Sequence, residues 1–223
     1  PFSCVFWRVS EETLAKHRNP LFSVASGVSL DNIGIDWLHA LSLGVFQTYL
    51  ANLVWDLVEA NVYGIAGTIG SRLELSVVAL RSQLWLWYNA EAKQGRHWTR
   101  VQGITAKMMG SRYDRALKLH GSETNGFLMF SDTLLERHKV ILGPRYGDHR
   151  KGLSALLVIY RLIKEHHDTS LPPAAIQEFC NQVCLHMQAL TSLEIDYKPK
   201  HHMLLEMSAR FQESFNLSLP SLM

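Results

Sequence analysis

A chain of 223 residues that is 47% hydrophobic and 19% charged is long enough for one sizeable core and too apolar for intrinsic disorder. Its 22 Lys and Arg against 20 Asp and Glu leave a formal net charge of +2, which excludes a polycation whose composition alone announces nucleic acid; any basic surface is local. Three cysteines (Cys4, Cys180, Cys184) are an odd number in a chain that needs no staples, which excludes a disulfide framework and points to a reducing intracellular compartment.

The first 30 residues read as an irregular segment, with Phe2–Val9 and Val24–Leu30 as the only weak strand candidates. Pro1–Trp7 lacks an initiating Met and the features of a signal peptide, so the chain is read as a piece of something longer. From Ile35 to Ala60 apolar residues recur at helical spacing, the strongest helix signal present. Asp36, His39, Gln47, Asn52, Asp56 and Glu59 interrupt every window of about 20 residues there, so no membrane span is expected.

Val62–Gly70 reads as a break, and Ser71–Glu91 as a second helix through Leu73, Leu75, Val78, Leu80, Leu84, Trp85 and Tyr88. Gly95 and Gly103 bracket a loop, followed by a short helix over Ile104–Met109 and a longer one over Ser122–Ile141. A loop is predicted over Leu142–Asp148, then a compact helix over Gly152–His166 and a break at Leu171-Pro172-Pro173. Helices over Ala174–Leu193 and Lys200–Ser214, the latter opened by Pro199, complete a mainly α, multi-helix reading with few or no strands. No repeat at 30 to 45 residues suggests a solenoid.

Walker-type loops, GxGxxG, HExxH and GxSxG are all missing, so the common enzyme classes have no motif support. Cys180, Cys184 and His186 fall within seven residues, but with no second ligand pair at zinc-finger spacing the cysteines read as small core residues. Three clusters remain. Asp36 and His39 share one side of a first helical turn, which alone reads as a dipole-favoured acid and a hydrogen-bonded core histidine. Ser122 is placed to cap a helix with Glu123 at its first position, and Lys198 to Glu206 forms a basic helix entry.

Taken in order, these clusters resemble the catalytic domains of eukaryotic cut-and-paste DDE transposases, notably the CACTA (En/Spm) and Kyakuja-Dileera-Zisupton groups. Ile35-Asp36-Trp37-Leu38-His39-Ala40-Leu41-Ser42-Leu43-Gly44-Val45 is similar to the family's D-x-x-H, Leu-Gly-Val segment. Leu117-Lys118-Leu119-His120-Gly121-Ser122-Glu123 is similar to its Lys-x-(Ala/Gly)-x-Glu block, which puts the catalytic, metal-binding glutamate at Glu123. Pro199-Lys200-His201-His202-Met203-Leu204-Leu205 is similar to its Pro-x-x-His-Leu-Leu block, with His202 at the histidine position. The chain departs from the pattern at Thr124, where the family has an aromatic residue, and at Glu206, where it has a second histidine.

The resemblance implies a helical insertion over 31–116 and a C-terminal helical region over 117–223, attached to an RNase H-like core of which 1–30 is a remnant. It also implies a nuclear mobile-element protein that binds DNA and transfers strands with Mg²⁺ or Mn²⁺, a homo-oligomer being left open. Two ions about 3.5 to 4 Å apart, held by carboxylates, activate water and steady the leaving oxygen in such chemistry. Only Asp31 precedes Asp36, so the chain is expected not to be catalytic by itself. Lys107, Arg112, Arg115, Lys118, Lys198 and Lys200 are the expected DNA-phosphate contacts. The competing expectation is a non-catalytic all-helical interaction module, motivated by the crowding of Trp85, Trp87 and Trp98.

Overall fold

The computed structural model describes residues 37–166 and 171–215, with side chains as far as Phe211. Asp36 and both strand candidates lie outside the described residues. Helix α1 (Leu38–Glu59) is the central element. Its apolar residues surround it on every side, and a helix of that kind is stable only when enclosed by others. Phe46, Tyr49, Leu50, Leu53 and Leu57 are accordingly buried. By length and composition α1 could cross a membrane, and 83% of its most apolar window is buried inside the protein.

The first eight residues of α1, Leu38–Val45, are wound as a π-helix before regular α geometry begins at Phe46. Runs of this wider turn are rare and frequently accompany functional sites.

Helix α2 (Ile69–Lys93) is capped by Thr68, whose side-chain oxygen accepts from the Ser71 N–H at 3.3 Å. It buries Leu73, Val77, Leu80, Leu84 and Tyr88, spaced three and four residues apart. The following loop is pinned to the core by Val101, Ile104, Met109, Leu117 and Leu119. The indole of Trp55 donates to the Met109 carbonyl at 2.7 Å, which fixes the loop against α1. The helix expected over Ile104–Met109 is one 3₁₀ turn, Ala106–Met109, because Gly110 turns the chain away in the left-handed region at φ 67°.

Helix α3 (Gly121–Leu142) runs to a single-residue break at Gly143, and α4 (Pro144–Glu165) follows immediately. The longer loop expected over Leu142–Asp148 is therefore helical from Pro144 onward. Gly143 supplies φ 55°, and Pro144 occupies a first-turn position where no N–H is needed. Helices α5 (Pro173–Ser192) and α6 (Pro199–Phe215) both open on proline, as the sequence pattern predicts.

Helix α4 packs along α5, α3 along α4, and α5 along α6; α6 and the start of α3 close on the π-helical end of α1. Among the described residues there is no strand, only an isolated bridge between Gly110 and Arg115, and the fold is mainly α. Elements from both sides of residue 116 belong to the same compact unit.

Candidate functional site

The three sequence clusters meet at the π-helical end of α1. Gly121, the first residue of α3, lies against Leu38 and Ser42, so that a Cβ there would displace the tip of the Leu38 side chain. The Ser42 hydroxyl donates to Asn125 Oδ1 at 2.9 Å across a separation of 83 residues. One turn on, Gln47 Nε2 donates to the Leu119 carbonyl at 2.6 Å and to Thr124 Oγ1 at 3.1 Å. From the other side α6 comes so close that a Cβ on Gly44 would sit 2.7 Å from both Cβ and Cγ of Lys200. Small residues at 42, 44 and 121 thus let the starts of three helices meet.

Glu123 sits at the third position of α3, not the first, because the helix begins at Gly121 with His120 as its N-cap. Its Oε2 accepts from the His120 backbone N–H at 2.9 Å, half of a capping box that also fixes the side chain's direction. Ser122, expected as the cap, is exposed. Half-buried, Glu123 lines a cavity of about 600 Å³ together with Gln47, Gln102, Met108, Lys118 and His120. Its Oε1 has no protein hydrogen bond among the described residues, which suits a single metal ligand. No group of three His, Cys, Asp or Glu converges on a metal position among the described residues.

His39 is exposed on the π-helical segment and is not the core histidine that its spacing suggested. His202 is also exposed, whereas its neighbour His201 is fully buried, accepting at Nδ1 from the Lys198 N–H at 3.0 Å and stacking on His186 at 6.1 Å. Burial pushes the His186 imidazole down to about 3 and that of His201 down to about 4, so both rings are neutral at pH 7. Cys180 and Cys184 are free, buried thiols on the core side of α5.

The six expected phosphate contacts divide into two groups. Arg112, Arg115 and Lys198 line a cleft of about 490 Å³ in which carboxylates already engage them. Arg112 pairs with Glu59 at 2.9 Å, Arg115 with Asp56 at 2.8 Å, and Lys198 with Asp114 at 3.8 Å. Lys107, Lys118 and Lys200 carry no ion pair among the described residues, and Lys118 faces the Glu123 cavity.

Asp56, at the floor of that cleft, was not among the residues the sequence singled out. Its carboxylate is 2% exposed and accepts from Arg115 at 2.8 Å, from Arg145 Nε and Nη2 at 2.9 and 2.7 Å, and lies 2.7 Å from His149 Nε2. Burial alone raises its pKa, but the hydrogen bonds and charge of His149 and Arg145 more than offset this and hold it below the ordinary 3.8. The available signal was an acid inside the most apolar helix, where a charge persists only with partners.

The tryptophans form a half-buried cluster between α2, the loop after it and α3. Trp87 lies 6.0 Å from Trp98 and 5.9 Å from Phe130, while Arg100 covers Trp85 at 5.1 Å. Trp87 and Trp98 thus take part in packing, while Trp85 lies under Arg100. No family model, curated protein or solved structure matches the chain.

Proposed function

We propose that this chain is the helical part of a DDE-transposase-like DNA strand-transfer protein of the nucleus, contributing Glu123 as one metal-ligating carboxylate and not catalytic by itself. The observation that carries the reading is the meeting of the three resembling blocks at the π-helical end of α1, beside a cavity that holds the Glu123 carboxylate. Bound Mg²⁺ or Mn²⁺ supplies Lewis-acid activation of water and of the leaving oxygen. Glu123 would hold such an ion through Oε1, its Oε2 being engaged by the start of α3, and the further carboxylates that the chemistry needs would have to be supplied from outside the described residues. Lys107, Lys118 and Lys200 are the cations left to meet phosphates, since Arg112, Arg115 and Lys198 are engaged by acids.

Calorimetric titration of Mn²⁺ into the chain and into Glu123→Gln, with short duplex DNA tested at two salt concentrations, decides the matter. The reading expects Mn²⁺ binding that the substitution removes, and DNA affinity that falls steeply with salt. A folded chain that binds neither overturns it. That outcome favours the second reading, a non-catalytic all-helical interaction module, for which the supporting observation is the set of apolar residues that α2 turns away from the core.

A further inference from the structure

Helix α2 is apolar on two opposite faces. While Leu73, Val77, Leu80 and Leu84 fill the core, Leu75, Val78 and Leu86 stand 53%, 54% and 69% exposed along the other side. Spacings of three, four and four residues through Leu75, Val78, Ser82 and Leu86 keep them on one stripe, since each step returns close to the same angle at 3.6 residues per turn. Scattered apolar residues on a surface are ordinary, but three aligned along one helix face, with Ser82 between the second and third, mark a candidate contact.

The charges beside the stripe say what covers it. Glu74 and Arg81 lie on the same edge, seven residues apart, both exposed and without an ion-pair partner among the described residues. Two helical turns, about 10 Å of rise, prevent them from pairing with each other within one helix. The charges are related by reversal about the point between Val77 and Val78, Glu74 mirroring Arg81, and the exposed Leu75 and Val78 lie on either side of that point. A helix with such a pattern complements a reversed copy of itself, because a twofold axis brings position i against position j and j against i.

We propose that α2 is a self-association surface on which a second copy of this chain docks antiparallel. Glu74 of each copy meets Arg81 of the other, and Leu75 of each copy packs beside Val78 of the other at the axis. In a parallel pair Glu74 and Arg81 stay two turns apart and never meet, so the charge pattern selects the antiparallel arrangement. One helix pair is a small contact beside a standard interface of roughly 800 Å² per partner, in the class of weak, reversible associations. The proposal does not depend on the metal reading of Glu123.

Sedimentation equilibrium of the full chain from the low micromolar to several hundred micromolar tests it. A reversible monomer–dimer equilibrium is expected, weakened on the order of tenfold by Glu74→Arg alone or Arg81→Glu alone, since each puts like charges together twice. The double variant E74R/R81E restores the original association, and L75K/V78K abolishes it. All four side chains are exposed, so unchanged thermal midpoints show that the fold is intact. A chain that stays monomeric throughout, or a dimer that single reversals leave unchanged, overturns the proposal.

Discussion

Asp56 shows how one residue is held ionised inside the core. Three donors from two parts of the chain surround it: Arg115 from the loop, and Arg145 and His149 from α4. Removing the charge takes from Arg145 its counterion among the described residues and leaves Arg115 with Glu59 at 3.1 Å, and a broken buried pair costs far more than the intact pair contributes over apolar packing. Asp56→Asn is therefore expected to destabilise the chain by about 3 to 5 kcal/mol, read as a lowered urea midpoint. Glu91→Gln, which disrupts an ion pair to the exposed Arg96, is expected to shift that midpoint far less. The sequence made the burial of this helix legible but not the partners of its acid, because Arg115 and Arg145 lie 59 and 89 residues away and no local spacing links them.

At the scale of elements, periodicity locates the six long helices among the described residues, and the differences fall at their ends. The pattern puts Pro144 in a loop although proline suits the first turn of a helix, and puts the cap at Ser122, whereas the helix is capped two residues upstream at His120. Neither the π-helical winding of Leu38–Val45 nor the contact that Gly44 makes possible was legible, since both depend on where α6 lies. That contact gives a direct test. Gly44→Val places branched carbon against Cβ and Cγ of Lys200 and against the His39 carbonyl, which a Cβ at Gly44 would approach to 2.9 Å. Relief requires α6 to move away from α1, a cost of about 1 to 3 kcal/mol for overpacking. A lowered thermal midpoint with faster amide exchange in α6 and at the start of α1 is expected, while exchange in α2 stays unchanged.

For the whole molecule, the buried histidines make stability depend on pH over a window set by their shifts. His186 donates from Nδ1 to the Gly152 carbonyl, so a proton added in the folded state goes to its buried Nε2 and finds no acceptor among the described residues; in His201 the added proton goes to Nδ1 and breaks the hydrogen bond from the Lys198 N–H. In the unfolded chain both titrate near 6.5, whereas in the fold they titrate at about 3 and about 4. Between those values the unfolded state binds more protons, so stability is fully present above pH 6.5 and is lost as pH falls toward 4. The slope is about 1.4 kcal/mol per pH unit for each ring where both contribute. Asp56 acts lower still: its depressed pKa gives stability that is present above 3.8 and lost as pH falls below that value. Urea titrations at pH 7.5, 6 and 5 should show stability falling as the buffer becomes more acidic, most steeply between the last two. Substituting His186 with Gln should flatten that fall by the share of one ring, and an unchanged slope would mean that His186 is not the buried, neutral imidazole described here.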